Sequence, residues 1–200
     1  MITGIILASG FSTRMNKDKL MMKLGNEFII EFVLKNAVNS KLDDLILIYR
    51  NNDITKLSLN PEIRLVYNGE AYHGQSESIK VGILNAQENS DYLFLLGDQP
   101  FVFSSIIDRI IDEYNIDKGK IIVPYYMGQR GNPVIIPNEY RNELLSLSGD
   151  EGARKIIHKY KDIIKRVKFD NSIYNLDIDN INDYERAKEF LYNFNNEESR

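Results

Sequence analysis

The sequence predicts an α/β domain built on a mostly parallel, doubly wound sheet. Three observations carry this. In the first half, short apolar runs alternate with longer amphipathic runs of helical spacing, the β-α-β rhythm of a parallel sheet. The most hydrophobic run, Tyr92-Leu93-Phe94-Leu95-Leu96, is apolar at every position, as a central strand covered on both faces must be. The chain has 200 residues and is 43% hydrophobic, enough to bury a substantial core in one domain.

The elements follow in order. Ile5-Ile6-Leu7 is the first buried strand, and the small residues Ala8-Ser9-Gly10 turn the chain after it. Residues 27–38 place Phe28, Ile29, Phe32, Val33 and Val38 at helical spacing. Residues 45–49 form a second strand, stopped by Arg50-Asn51-Asn52-Asp53, and residues 63–67 a third. Residues 76–86 read as a helix with Ile79, Ile83 and Leu84 on one side. The central strand ends at Gly97-Asp98-Gln99-Pro100, and a helix follows over 104–114. The second half is less regular. Strands at 121–124 and 133–137 flank the loop 128–132. Residues 138–147 and 151–160 read as helices, 163–169 and 175–178 as strands, and 182–194 as the last helix. The polar residues 195–200 read as a frayed tail. No repeat or linker divides the chain, so a single domain is expected over 1–194.

Composition excludes several classes. Without cysteine there is no disulfide, thiolate metal site or cysteine nucleophile. A net charge of -4 argues against a nucleic-acid binder but leaves room for a locally positive pocket. No basic segment precedes the first apolar run, and no run reaches membrane-spanning length, so a cytoplasmic protein without membrane partners is expected.

Four places carry chemistry. The first is Leu7-Ala8-Ser9-Gly10-Phe11-Ser12-Thr13-Arg14-Met15, with Lys19 beyond it. At the carboxyl end of a strand, a turn of small residues lets backbone N–H groups approach phosphate oxygens, and Arg14 and Lys19 add charge-assisted hydrogen bonds. The same run can be an ordinary βα turn with solvated basic residues. The second is Asp98, a hard oxygen ligand at the end of the central strand, suited to Mg²⁺; an aspartate in Asp-x-Pro can equally cap the next helix. The third is Leu176-Asp177-Ile178-Asp179, whose carboxylates share a face if the segment is extended; Asp179 can also be an N-cap. The fourth is a set of glycine-containing loops. Gly74 and Ser78 sit at a helix start, where anions bind or serines cap. Arg130 and Asn132 lie between strands, and Asp150 and Arg154 begin a helix, where Asp150 can cap. His73 and His158 read as surface or structural histidines.

The run Leu-Ala-x-Gly-x-Ser-x-Arg-Met with Lys19, then Gly97-Asp98-Gln99-Pro100, Gly74-x-Ser-x-Ser78, Gly128-Gln129-Arg130-Gly131-Asn132-Pro133, Gly149-Asp150-Glu151-Gly152-Ala153-Arg154 and Asp177-Ile178-Asp179, resembles the molybdenum cofactor nucleotidyltransferases. These are the MobA-like NTP transferases, and within them the chain looks most like the cytidylyltransferase branch. The resemblance implies a Rossmann-like, glycosyltransferase-A-type fold. It implies residues 1–100 as a nucleotide-binding half and 101–194 as an acceptor-binding half. Leu7, Ala8, Ser9, Gly10, Ser12, Arg14, Lys19, Gly74 and Ser78 would then hold the nucleotide. Arg14, Lys19 and Asp98 would serve catalysis, and Asp98 and Asp179 the metal, with Asp177 a weaker candidate. Arg130, Asn132 and Arg154 would hold the acceptor.

The implied reaction moves a nucleoside monophosphate, CMP in the first instance, from CTP onto a molybdopterin-type acceptor with Mg²⁺. A molybdoenzyme would receive the product. The chain departs from the family pattern in places. Ser9 stands where the two branches carry alanine or glycine, which leaves CTP and GTP both open. Asn132 stands in a histidine position, which leaves the acceptor open. Asn16 replaces a glycine, and Asn180-Ile181 replace Thr-Pro. Guanylyl transfer, sugar-phosphate nucleotidyl transfer and a non-catalytic molybdenum cofactor carrier are the alternatives.

Overall fold

The computed structural model describes residues 1–11 and 18–198. The strands are β1 (Ile2–Ala8), β2 (Lys23–Leu24), β3 (Glu27–Phe28), β4 (Asp44–Tyr49), β5 (Ile63–Tyr67), β6 (Asp91–Leu96), β7 (Ile121–Tyr126), β8 (Gln129–Arg130), β9 (Val134–Ile136) and β10 (Ile164–Phe169). The helices are α1 (Ile29–Val38), α2 (Gln75–Asn85), α3 (Ser104–Ile116), α4 (Arg141–Leu145), α5 (Arg154–Lys159) and α6 (Ile181–Glu198).

The main sheet runs β10-β7-β9-β6-β1-β4-β5, with β8 added to β7. β1 pairs in parallel with both β4 and β6, β4 with β5, and β10 with β7. β9 runs antiparallel between β6 and β7. This is the mostly parallel α/β sheet that the apolar runs predict.

The period-two alternation of the strands sorts their side chains between two helical layers. Ile6, Leu45, Leu47, Leu93 and Leu95 pack on one face with Ile30, Val33 and Leu34 of α1 and Ile106, Ile107 and Ile110 of α3. Ile5, Ile46, Ile48, Tyr92 and Phe94 pack on the other with Ile79 and Ile83 of α2, Leu144 of α4 and Ile156 and Ile157 of α5. Each such side chain contributes about 1.5–3 kcal/mol by leaving water. Gly82 lets α2 lie close to the sheet, since a Cβ there would meet Ile5 at 2.4 Å. A third cluster joins Leu24, Ile29 and Phe101 to Leu176, Ile178 and Ala187 at one end of the sheet.

The structure differs from the sequence reading in several places. Glu27 and Phe28 pair with β2 around Gly25, whose φ of 68° makes the turn, so α1 begins only at Ile29. Leu84 faces solvent. The helix expected over 138–147 is a 3-10 turn followed by the short α4, and the one expected over 151–160 starts at Arg154. Residues 175–178 form no strand; a 3-10 turn, Ser172–Asn175, precedes an extended segment held to the Asp98 carbonyl by the Ile178 N–H at 3.1 Å. α6 continues through 195–198, where a frayed tail was expected. Among the described residues no helix is long and apolar enough to cross a membrane.

Candidate active site

The strand order reverses at β1. β4 and β5 lie on one side of it and β6 on the other, so the carboxyl ends of β1 and β6 border a crevice of the kind in which α/β sheets bind ligands. Gly97 lets these ends close together. Its N–H donates to the Leu7 carbonyl at 3.0 Å, and a Cβ on it would press on Ala8 at 3.1 Å. Ala8, Ser9 and Gly10 therefore stand beside Asp98, as the motifs require. Ser12 and Arg14, together with Asn16, lie outside the described residues.

The Ser9 side chain turns inward. It is 1% exposed, its hydroxyl shares a hydrogen bond with Ser78 at 2.6 Å, and the Asn68 amide donates to both, at 3.1 and 3.3 Å. Its hydroxyl, like that of Ser78, serves a buried network tying β1 to α2.

Lys19 is set by a local turn. Asp18 accepts from the Leu20 N–H at 3.1 Å and from the Asn51 amide at 2.6 Å, while Leu20 buries its side chain. The Lys19 ammonium reaches Asp98 at 2.5 Å and Asp179 at 2.6 Å, across 79 and 160 residues of sequence. Two carboxylates thus converge on one nitrogen. Burial alone pulls the Lys19 ammonium down, but the Asp98 charge and the hydrogen bonds it donates to Asp179 and Asp98 outweigh it and hold it above the usual lysine range.

Asp179 is carried there by its neighbours. Leu176 and Ile178 are buried in the third cluster, so Asp177 and Asp179, which alternate with them, are left at its edge. The capping alternatives are resolved. Asn180 accepts from the N–H groups of Asn182 at 2.9 Å and Asp183 at 3.1 Å, so it, rather than Asp179, caps α6. Phe103 precedes α3 without a side-chain cap, and Ala153 does the same for α5, so neither Asp98 nor Asp150 caps a helix.

Two hard carboxylates gathered round the Lys19 ammonium form a donor set that suits a small divalent cation. Among the described residues no group of three or more acidic or histidine side chains could hold an ion unaided. Such a cation would take its remaining ligands from phosphates and water.

Two cavities open from this crevice. One, of about 490 Å³, is lined by Ala8, Ser9, Gly10, Phe11, Lys19, Tyr72, Gly74, Ser78 and Asp98. The other, of about 310 Å³, is lined by Arg130, Gly131, Asn132, Arg154, Asn175 and Asp177. Leu7, Gln75, Leu96 and Asp150 belong to both. Ser12 and Arg14 apart, the residues predicted for the nucleotide and those predicted for the acceptor therefore line adjacent chambers.

The wall between them is a contact of two loops. Gly74 has φ 102°, and a Cβ there would lie 2.3 Å from the Gly149 carbonyl carbon. The Ser76 N–H donates to the Gly149 carbonyl at 3.0 Å. That bond occupies one of the first-turn donors of α2, so the helix start is partly closed by protein, which the expectation of an anion site there did not anticipate. No side chain caps α2.

In the smaller cavity, Arg130 is placed by a tight hairpin in which Met127 and Gly128 take φ of 49° and 84°. Burial and then the nearby Arg154 charge pull its guanidinium below the usual arginine range. Two arginines thus face one space. The Gln99 amide donates to Asp177 at 2.7 Å and to Asn175 at 3.4 Å, and the Asn132 N–H donates to Asn175 at 3.2 Å. Burial and then the Asp98 charge push the Asp177 carboxyl up to about 6. Asp177, the weaker candidate for a metal ligand in the sequence, therefore lines the smaller cavity while Asp179 meets Lys19. Gln75, Gln99 and Asn175 were missed. Gln99 was visible in Gly97-Asp98-Gln99-Pro100, but Asn175 has no motif to announce it.

Comparison with known proteins bears on the family and the fold. The family model described as MobA-like NTP transferase domain matches residues 4–163. A probable molybdenum cofactor guanylyltransferase from Natranaerobius thermophilus is 28% identical over 138 residues, 64% of this chain and 62% of that protein, so the match spans under two thirds of that relative. The molybdenum cofactor cytidylyltransferase of Escherichia coli is 26% identical over 192 residues, covering 92% of this chain and 94% of that protein. Among solved structures, Rv0371c from Mycobacterium tuberculosis superposes with a TM-score of 0.83 at 26% identity, covering 94% of this chain and 97% of that one. The same protein was also solved in complex with manganese. The family match ends before Asp177 and Asp179, whose place is known from the fold alone.

Proposed function

The chain belongs to the MobA-like NTP transferase family and is a nucleotidyltransferase, and on that premise we propose that it moves CMP from CTP onto the phosphate of a molybdopterin-type acceptor, with Mg²⁺ and release of pyrophosphate. The observation that carries this reading is the convergence of Asp98 and Asp179 on the Lys19 ammonium beside the Ala8–Gly10 turn.

An oxygen of the acceptor phosphate attacks the α-phosphorus of the triphosphate, a new P–O–P link forms, and the bond to pyrophosphate breaks. Both reactants are anions, so the protein must chiefly offset charge repulsion. Asp98 and Asp179 would hold the metal, which supplies neutralisation of the triphosphate charge. The manganese complex of Rv0371c supports a divalent cation in this fold. Lys19 donates to the phosphates once released from the carboxylates, and Arg14 adds charge on the outer phosphates. Leu7, Ala8, Ser9, Gly10, Ser12, Gly74 and Ser78 shape the nucleotide chamber. Arg130 and Arg154 hold the acceptor phosphate, with Asn132 as a neutral hydrogen-bonding partner. That phosphate is already ionised, so no strong general base is required. A molybdoenzyme would take up the product, in the cytoplasm.

The end-to-end match to the cytidylyltransferase supports CMP. GMP transfer is the second reading, supported by the guanylyltransferase relative. The test incubates the protein with labelled CTP or GTP and molybdopterin and follows pyrophosphate, with and without EDTA. Metal-dependent release with CTP supports the proposal, release with GTP alone moves it to the second reading, and release with neither overturns it.

A further inference from the structure

The polar corner after β4, which the sequence marks only as the stop of a strand, reaches the nucleotide chamber without lining it. Arg50 lays its guanidinium 4.3 Å over the ring of Phe11, a residue of the chamber wall. Asn51 comes next, and its amide N–H donates to Asp18 at 2.6 Å, across 33 residues of sequence. Neither Asn51 nor Asp18 lines the chamber, whereas Lys19, beside Asp18, does.

Both ends of the Asn51–Asp18 bond are fixed. The Asn51 oxygen accepts from the Asp53 N–H at 2.9 Å and so caps the 3-10 turn Asn52–Lys56. Ile54 anchors that turn, fully buried in the same cluster as Ile30, Val33 and Leu34 of α1. With its oxygen committed, Asn51 turns its NH₂ to Asp18. The second Asp18 oxygen accepts from the Leu20 N–H at 3.1 Å and caps the 3-10 turn Lys19–Met21. A three-residue turn of this kind holds itself weakly, so its setting depends on what ties it to the rest of the protein. Leu20 burial is one tie, and the bond to Asn51 is another. The setting matters because the Lys19 ammonium must meet carboxylates 79 and 160 residues away.

We propose that Asn51 is a positioning residue for nucleotidyl transfer, which holds the Lys19 ammonium at the phosphates by way of Asp18. The contacts run from the core through Ile54, Asn51 and Asp18 to Lys19. Before substrate binds, Asp98 and Asp179 themselves hold the ammonium. Once it leaves them for a phosphate, the turn beneath it keeps its place through Asp18 and Asn51. A misplacement of about 1 Å at such a group costs about 100-fold in rate. This inference rests on the nucleotidyltransferase reading and adds to it a residue that touches no substrate.

Steady-state kinetics of pyrophosphate release test it on the full chain, with CTP or GTP, molybdopterin and saturating Mg²⁺. Asn51→Ala lowers kcat/KM for the nucleotide about 10- to 30-fold and leaves the acceptor KM within about twofold. Reversing the pair isolates the bond. Asp18→Asn sets two amide donors against each other, Asn51→Asp sets two carboxylates against each other, and each lowers kcat/KM about tenfold. Together they restore the bond with donor and acceptor exchanged, the Leu20 and Asp53 N–H groups keep their acceptors, and kcat/KM returns to within about threefold of the parent. A Lys19→Met background separates positioning from stability. Asn51→Ala then lowers kcat/KM by less than about twofold more, because the group it positions is gone, whereas damage to the fold multiplies through. Three results overturn the assignment: full additivity in that background, no recovery in a reversed pair that circular dichroism shows to be folded, or a parent-like kcat/KM in Asn51→Ala. Any of these with turnover by the parent removes only this inference, and absence of turnover by the parent removes the reading beneath it.

Discussion

The two chambers on either side of the Gly74–Gly149 contact are built by different means. The larger one is lined by the turn of small residues after β1 and by residues 71–78 at the start of α2, with Lys19 and Asp98. Its lining comes mostly from short runs of sequence, 7–11, 71–78 and 96–98. The smaller one is made by side chains drawn from the hairpin of β7 and β8, the start of α5 and the segment before α6. No local run of sequence contains it. A chamber formed by a backbone turn announces itself as a motif, whereas a chamber formed by long-range side-chain contacts exists only after the strands are ordered.

That contrast can be broken or sharpened by substitution. The largest effect is expected at the shared chemistry. Asp98→Ala should lower pyrophosphate release by about 10³-fold or more while circular dichroism stays unchanged; a small loss would mean that the carboxylate pair serves structure alone. Next comes the dividing wall. Gly74→Ala forces a side chain into a left-handed backbone and onto Gly149, and should cost about 2–4 kcal/mol in urea unfolding. A neutral result would show that the wall yields.

Arg154→Ala should raise the acceptor KM by about 10- to 100-fold and leave the CTP KM alone; an equal effect on both substrates would erase the distinction between chambers. Lys19→Met removes the cation that Asp98 and Asp179 share, and should increase Mn²⁺ affinity by about tenfold in the absence of nucleotide, as read by electron paramagnetic resonance. Unchanged affinity would place the metal elsewhere. Smallest is Ser9→Ala, which opens the buried Ser9–Ser78–Asn68 network and should cost about 1 kcal/mol in thermal unfolding. The ratio of kcat/KM for CTP and GTP should stay within about twofold, because the hydroxyl faces inward; a larger change would return base choice to Ser9.

Much of the first chamber was legible. Ala8, Ser9 and Gly10 after an apolar run, and Asp98 after the most apolar one, are separate signals that a parallel sheet brings to the same edge. The roles of individual side chains were less so. Ser9 could not be known to point inward until Asn68 and Ser78 were beside it. Asp179 was the plausible cap for α6, and only the contacts show that Asn180 caps it instead. Asp177 and Asp179 share a face when the segment is read as extended. They part because Leu176 and Ile178 anchor the segment, with Gln99 near one carboxylate and Lys19 near the other.

By itself the sequence determined the layers. Apolar periodicity is a local property, and it is enough to make a strand central, to give a helix its buried face and to leave small residues at a strand's end. The tertiary structure alone decided the pairings: Lys19 with two distant aspartates, Gly74 with Gly149, and Asn51 with Asp18. Each depends on strand order and on how closely two backbones approach, and neither quantity is written in the period of any one segment.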